Sequence, residues 1–181
     1  ITGRLLRVNR RYCEMTGYSE AELLQLSIRD INHPEDRDAD FERFQRLGRG
    51  EVSEYWAEKR YLRKDGGVIW VAATANLVRN AAGQPTRTVA VITDITGRKQ
   101  AEAALRESEA QFRASFELAA VGQAQVNPAT GRFERINPKF CEIVGYSEEE
   151  LLNMTPADIT HPEDRQPYVD IYPRFLRGEI E

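Results

Sequence analysis

Every second side chain from Ile69 to Leu77 is apolar, and the side chains between them, from Val68 to Asn76, are of mixed character. A period of two places those side chains on one face of a β-strand. Residues 54–63 precede this stretch across a glycine-containing turn, and residues 86–95, rich in β-branched side chains, follow it across a second turn. The pattern predicts three antiparallel strands in sequence order, with one face of the sheet buried.

Short helices are predicted ahead of these strands. Residues 10–16 favour a short helix that ends at a glycine, which tolerates the left-handed conformation found after helix ends. Ser19 and Glu22 have the spacing of a capping box at the start of another helix. Pro34 suits the first turn of a longer helix, because its missing N–H would have no partner there. A short strand over residues 4–9 is expected to precede these helices.

The chain contains an internal repeat. Residues 3–53 match residues 131–181 at a constant offset of 128, with 24 of the 51 aligned positions identical. The runs Gly-Tyr-Ser-Glu and His-Pro-Glu-Asp-Arg occur in both copies. An offset of this size is that of a domain and exceeds the period of solenoid repeats. We therefore expect two copies of one fold.

Residues 97–116 join the two copies and are rich in Ala, Glu, Arg and Gln, which favour helix. Spacings of four and three residues alternate there along one stripe: Ala101, Leu105, Ser108, Phe112 and Ser115. This spacing is typical of a coiled-coil seam, and two serines make the seam a weak one. We expect a helix whose register against a partner helix can shift. Residues 121–127 are predicted to form a strand after it.

Composition narrows the classes of function. The 181 residues are 41% hydrophobic and 30% charged, as in ordinary globular proteins. A formal charge of −4 disfavours nucleic-acid binding through a basic surface, and no apolar run approaches the roughly 18 residues that span a bilayer. Two cysteines and two histidines are too few for a disulfide framework or a zinc cluster. Without a phosphate-binding loop or nucleophile motif, the chain is expected to be a cytoplasmic, metal-free protein that is not an enzyme.

In order and spacing, these features resemble the PAS family. The resemblance is carried by the two runs of the repeat, the hairpin Lys64-Asp65-Gly66 followed by Ile69-Trp70-Val71, and Asp94-Ile95-Thr96 before a charged helix. It implies an α+β fold: a five-stranded antiparallel sheet with short helices on one face, present twice and joined by a helix. Residues 1–96 would be one domain lacking its first strand, residues 97–116 a signalling helix, and residues 117–181 the N-terminal part of a second domain that lacks its last three strands.

The resemblance also implies a sensory function. Such modules lie upstream of histidine kinases or diguanylate cyclases and pass a change caused by a ligand or partner to the outgoing helix. Here the junction residues would be Asp94, Ile95 and Thr96. A homodimer is expected, with candidate interface residues Val68, Trp70, Leu105 and Phe112. The alternative is a constitutive dimerisation scaffold without a ligand.

A ligand pocket is expected on the buried face of the sheet. Small side chains there leave room beneath the helix that follows Pro34, although ordinary close packing also fills such room. Because few polar groups are visible, any ligand is expected to be small and apolar. The candidate lining residues are Phe41, Phe44, Ile69, Val71, Ala73, Ala75 and Ile92.

The sequence names no cofactor. Flavin is disfavoured because the Asn-Cys-Arg-Phe run of the flavin-binding branch is absent, and Val71 and Ile92 stand where that branch places Asn and Gln. Haem is disfavoured because His33 and its repeat His161 each precede a proline at a helix start, which favours a capping role. Cys13 and Cys141 are interpreted as buried structural thiols.

Three further expectations concern pairing and symmetry. Residues 121–127 could supply the missing first strand in trans, beside strand 86–95; an open or otherwise paired edge there would contradict this hypothesis. The alternative is that the missing strand lies upstream of residue 1. The neighbours Asp36–Arg37 and Asp164–Arg165 are expected to form local ion pairs. Pro167 and Pro173 would interrupt the longer helix of the second copy, which leaves open whether both copies share one pocket and one role.

Overall fold

The computed structural model describes residues 2–165. Residues 1–104 belong to one compact unit and residues 105–181 to a second. The expected kinks at Pro167 and Pro173 lie outside the described residues.

The first unit has four helices followed by three strands. They are α1 (Arg10–Thr16), α2 (Glu20–Leu23), α3 (Ile28–Ile31), α4 (Pro34–Gly48), β1 (Glu54–Leu62), β2 (Val68–Arg79) and β3 (Pro85–Asp94). The long helix α5 (Thr96–Glu117) starts in this unit and ends in the second. The described part of the second unit then has β4 (Ala124–Val126), β5 (Phe133–Ile136), α6 (Pro138–Val144), α7 (Glu148–Leu151), α8 (Pro156–Ile159) and a 3₁₀ turn (Pro162–Asp164).

The predicted meander is confirmed. The strands pair antiparallel in the order β1-β2-β3, with Lys59 opposite Val71 and Ala73 opposite Ile92. The predicted alternation holds along most of β2: the inward residues from Ile69 to Ala75 are buried. One face of the sheet therefore packs on the helices, and the other faces outward.

The helix signals in the sequence are also confirmed. Asn9 caps α1, and Gly17 ends it at φ 79°. The backbone N–H of Ser19 donates to the Glu22 carboxylate at 2.9 Å, and the Glu22 N–H donates back to the Ser19 hydroxyl, which completes the capping box. Ser147 and Glu150 repeat this box in the second unit. A core of buried side chains lies beneath these helices: Leu23, Ile31, Tyr61, Ile69 and Val71.

The prediction of a strand at residues 4–9 is wrong. Only an isolated bridge joins Arg4 to Ser27 there. The repeated segment does form a strand, β5, because β4 lies beside it and supplies backbone partners. Among residues 2–165, no strand lies beside residues 4–9 in the way that β4 lies beside β5.

The strand-exchange hypothesis is contradicted. β4 pairs with β5 of its own unit, with Ala124 opposite Ile136. In the part of the chain that the structure describes, β3 pairs with β2 alone and its second edge is open. Val89 and Val91 lie opposite Asn76 and Thr74 on the outer face of the sheet and are 51% and 64% exposed.

Among residues 2–165, none of the helices has the length and apolar character needed to cross a lipid bilayer.

Candidate functional site

The residues predicted to line a pocket fall into two groups. Ile69, Val71 and Ile92 share one apolar cluster with the core residues of α2 and α3. Ala73 and Ala75 continue that face and are buried. Phe41 and Phe44 of α4 form a separate stack, with ring centroids 6.1 Å apart.

Gly3 lies against this phenylalanine stack. Its φ is 69°, and a Cβ there would approach Ile28 Cγ1 at 3.1 Å and Phe41 at 3.3 Å. A glycine is therefore favoured twice at this position, by its backbone conformation and by the close approach of α3 and α4.

A buried polar cluster lies on the inward side of β1 and consists of Asn32, Asp40 and Lys59. Lys59 Nζ lies 2.5 Å from Asp40 Oδ2, and Asn32 Nδ2 donates to the same oxygen at 2.7 Å. Asn32 and Asp40 are fully buried, and Lys59 is 4% exposed. The expectation of few polar groups at this face was wrong. The available signal was the inward position of Lys59, between Ala57 and Tyr61 in the alternation of β1.

Burial dominates the electrostatics of this cluster. Desolvation lowers the pKa of Lys59, while the charge of Asp40 opposes that shift. Desolvation also raises the pKa of Tyr12 to about 12 and that of Tyr61 well above its ordinary value. Both phenol hydroxyls are neutral, polar groups within the apolar cluster.

The start of α4 is tied to β1 by Asp36. Its Oδ1 accepts from Arg60 Nη2 at 2.7 Å, and its Oδ2 accepts from Arg60 Nε at 3.0 Å and from the Arg60 backbone N–H at 2.8 Å. The expected pair between Asp36 and Arg37 is therefore wrong. In the second unit, Arg165 donates to the backbone carbonyls of Thr160 and Asp158 instead of pairing with Asp164.

Hydrogen bonds from Arg60 lower the pKa of Asp36. A carboxylate whose folded pKa is lowered stabilises the fold above its unfolded pKa, which is about 3.9. We expect this stabilisation to disappear as the pH falls below that value and through the lowered folded pKa. In an NMR titration of the Asp36 carboxyl, Arg60→Met should return its pKa toward the ordinary range. Arg37→Met is the matched control and should leave it unchanged; equal effects of the two would contradict the assignment.

The three predicted junction residues lie together at the end of β3. The Asp94 carboxylate accepts from the Thr96 N–H at 2.8 Å. The Ile95 N–H donates to the Trp70 carbonyl at 2.9 Å, and the Trp70 N–H donates to Thr96 Oγ1 at 3.0 Å. The backbone of Trp70 on β2 therefore holds the first residue of α5.

Glu58 on β1 is a junction residue that sequence reasoning missed. Its carboxylate lies 2.6 Å from Arg98 Nη2 and 2.7 Å from Lys99 Nζ, both in the first turn of α5. Hydrogen bonds from Lys99 and then Arg98 lower the pKa of Glu58. Lys99 Nζ also lies 5.4 Å from the centre of the Trp70 ring. Two strands, β1 and β2, therefore bind the start of the helix.

The predicted interface residues differ in exposure. Val68, Leu105 and Phe112 are exposed, whereas Trp70 is half-buried, with the cations of Arg60 and Lys99 at 5.5 Å and 5.4 Å from the centre of its ring. The outer face of the sheet also presents Trp56, which is 62% exposed and was not predicted.

The two histidines cap helices, as their sequence positions predicted. Nδ1 of His33 accepts from the Glu35 N–H at 3.4 Å, and Nδ1 of His161 accepts from the Glu163 N–H at the same distance. The cysteines are less buried than expected, because Cys13 and Cys141 are both half-buried. Desolvation raises the pKa of the Cys141 thiol.

Comparison with known proteins decides the family. A family model described as the PAS fold matches residues 5–92 and 133–180, which together exceed half of the chain and fall in both copies of the repeat. The chain belongs to the PAS fold family. The α+β architecture, with an antiparallel sheet and helices on one face, agrees with this membership.

The PAS chain is similar to signalling proteins. It is 36% identical over 100 residues to the probable diguanylate cyclase DgcE of Escherichia coli (strain K12), covering 55% of this chain and 9% of that protein. It is 32% identical over 120 residues to the sensor histidine kinase TmoS of Ectopseudomonas mendocina, covering 66% of this chain and 12% of that protein. The chain thus spans about a tenth of the length of these relatives. With this family and these relatives, it is a sensory signal-transduction module.

Solved PAS-related structures include a sensory box histidine kinase/response regulator from Burkholderia thailandensis E264. The two chains are 29% identical in sequence, and their superposition has a TM-score of 0.45. The match includes 58% of this PAS chain and 79% of the Burkholderia chain.

Proposed function

We propose that this chain is a non-catalytic sensor that lies upstream of an effector domain and passes a change in its first unit to α5. The observation that carries the proposal is the double attachment of α5, to β1 through Glu58 and to β2 through Trp70. Names of similar proteins support a histidine kinase or a diguanylate cyclase as the effector class.

The route runs through the neighbouring residues Glu58 and Lys59. Successive side chains of a strand point to opposite faces, so Lys59 reaches the buried polar cluster while Glu58 reaches α5. A change that moves Lys59 against Asp40 on the inner face therefore also moves the carboxylate that holds the first turn of the helix.

The ligand in this proposal is a small, largely apolar molecule that carries hydrogen-bond donors. Ala73 and Ala75 offer an apolar face with short side chains. Asn32 Oδ1 and Asp40 Oδ1 are buried acceptors that have no protein donor among the described residues, and a donor on the ligand would satisfy them. Such a ligand acts as a signal only if it binds one arrangement of the first unit more tightly than another.

Mass spectrometry tests this part of the proposal. The purified 181-residue chain is analysed intact under native conditions and again after heat extraction. We expect one small molecule per chain in the native protein and the same molecule in the extract, with loss of both in Ala73→Phe. A native protein that carries no small molecule contradicts the ligand and favours an unliganded scaffold.

We also propose that the module acts as a homodimer through α5. Leu105 and Phe112 lie seven residues apart on an exposed stripe, which is the period of a coiled-coil seam. In sedimentation velocity, Leu105→Lys should convert the dimer to a monomer. Glu107→Lys, an exposed change on the same helix, is the control; if both variants remain dimeric, the seam is not the interface.

The attachment at Glu58 gives a direct prediction. Glu58→Gln removes the charge that holds Arg98 and Lys99, so the first turn of α5 should open more often. Since partly exposed ion pairs contribute modestly, amide hydrogen exchange in residues 99–102, which begin the intrahelical hydrogen bonds with the Lys99 N–H on the Ile95 carbonyl, should accelerate about two- to fivefold. Glu54→Gln, at the exposed start of the same strand, should leave that exchange unchanged. Equal exchange in all three proteins would contradict the proposed route.

A further inference from the structure

The Trp70 ring on the outer face of the sheet lies close to two cations that come from different elements. Trp70 on β2 pairs directly opposite Arg60 on β1. The Arg60 guanidinium carbon lies 5.5 Å from the centre of the indole ring, and Lys99 Nζ of α5 lies 5.4 Å from the same centre. A cation within about 6 Å of an aromatic ring is attracted to it, and partial burial strengthens the attraction. The ring therefore interacts with a strand residue and with a helix residue at the same time.

Arg60 is also bound to the start of α4. Its Nη2 lies 2.8 Å from the Glu35 carboxylate and 2.7 Å from the Asp36 carboxylate, both in the first turn of that helix. The backbone takes part as well, because the Arg60 N–H donates to Asp36 at 2.8 Å and the Arg60 carbonyl accepts from the His33 N–H at 2.9 Å. A displacement of the first turn of α4 therefore moves the guanidinium that lies beside the Trp70 ring.

Lys99 is bound to β1 and to the start of its own helix. Its Nζ lies 2.7 Å from the Glu58 carboxylate, and its backbone N–H donates to the Ile95 carbonyl at 3.0 Å, where the hydrogen bonds of α5 begin. The N–H groups of a first helical turn have few partners within the helix, so side-chain contacts there affect how often the turn opens. A change in how the Trp70 ring holds the ammonium should therefore change the opening of the first turn of α5.

The backbone of Trp70 limits how the ring can respond. The Trp70 carbonyl accepts from the Ile95 N–H at 2.9 Å, and the Trp70 N–H donates to Thr96 Oγ1 at 3.0 Å. These two bonds fix the Trp70 backbone against the junction, so the ring moves mainly by rotation about its own side-chain bonds. Because the two cations share one ring, such a rotation changes its distance to both of them. An aliphatic side chain at this position would fill part of the same space without attracting either cation.

We propose that Trp70 is a positioning residue whose ring couples the first turn of α4 to the first turn of α5. This coupling rests on the proposed function and adds a second input to it. A change at the start of α4 reaches α5 through Arg60, the Trp70 ring and Lys99, and it does not pass through the buried polar cluster. The first unit thus combines a change in its interior and a change at the start of α4 on one outgoing helix.

A double-variant cycle followed by amide hydrogen exchange tests this coupling. Asp36→Asn keeps an acceptor for the Arg60 N–H but weakens the hold on its guanidinium, so exchange in residues 99–102 should accelerate about two- to fourfold. In Trp70→Leu, which removes the ring, adding Asp36→Asn should leave that exchange unchanged. Trp70→Phe keeps an aromatic ring, and there Asp36→Asn should accelerate exchange again. Asp38→Asn, an exposed change on α4, is the control and should have no effect in any of these proteins.

Two further variants make the result specific. Lys99→Met leaves the sheet unchanged and should abolish the effect of Asp36→Asn in the same way as Trp70→Leu, so the test does not depend on the folding of one variant. If Asp36→Asn accelerates exchange as much in Trp70→Leu or Lys99→Met as in the parent, or does not accelerate it in the parent, the proposal is overturned. Glu58→Gln tests the attachment itself and should still accelerate exchange in Trp70→Leu. Failure of the coupling and failure of the proposed function are therefore seen separately.

Discussion

Asp40→Ala is expected to lower the free energy of unfolding by about 3–5 kcal/mol, since removal of one partner of a buried ion pair leaves the other charge without compensation. The Lys59 ammonium would remain 4% exposed and would lose its carboxylate, and Asn32 would lose the acceptor of its amide. Urea denaturation of the 181-residue chain, followed by tryptophan fluorescence, measures the change.

Asp38 on the same helix provides the matched control. Its side chain is 86% exposed and pairs with Arg29, so Asp38→Ala should change stability by less than about 1 kcal/mol. The double variant Asp40→Leu with Lys59→Met should recover much of the loss, because apolar residues often replace a buried ion pair without penalty. If Asp40→Ala and Asp38→Ala have similar effects, the buried pair does not stabilise this fold.

Leu23→Ala and Leu151→Ala should each destabilise one unit. The two leucines are equivalent positions of the repeat, and both are fully buried in the core of their own unit. Truncation of a buried leucine leaves a cavity and costs about 2–5 kcal/mol. Hydrogen exchange resolved by residue measures where the loss falls. Leu23→Ala should accelerate exchange in β1 and β2, and Leu151→Ala should accelerate it in β5.

The neighbouring leucine supplies the control for this prediction. Leu152 is 38% exposed, so Leu152→Ala should cost less than Leu151→Ala and leave β5 protected. Should Leu23→Ala instead accelerate exchange equally in both units, the repeat would have to be treated as a single cooperative body.

The elements that were predicted from sequence depend on local rules. The alternation at β2 needs only a period of two, and the capping box of Ser19 and Glu22 needs only a spacing of three residues. Both are satisfied within one short segment, so neighbouring residues carry the whole signal. The repeat added a second occurrence of each and made the PAS resemblance specific.

The pairs that were missed join distant residues. Asp36 forms an ion pair with Arg60, which is 24 residues away, and not with its neighbour Arg37. Glu58 binds Arg98 across 40 residues. Such partners are chosen by the way strands and helices pack, and no spacing along the chain encodes them. Lys59 was missed for a related reason, since in the sequence it is one charge within a run of three.

The prediction of a short strand at residues 4–9 was wrong for a different reason. The equivalent segment of the second unit forms β5 because β4 pairs with it. Residues 4–9 form only the isolated bridge between Arg4 and Ser27. Strand formation requires a neighbour, and a neighbour is not a property of the segment itself.

The run Glu58-Lys59-Arg60 also fixes how β1 can move. Its three charges go to three places: the start of α5, the interior beneath α4, and the first turn of α4. A slip of one residue would turn each of them to the opposite face and would strand a cation or an anion among apolar side chains. Sliding along the strand axis is thereby opposed, and in the proposed route a tilt of β1 together with β2 would reach α5 as a change of angle instead of a change of length.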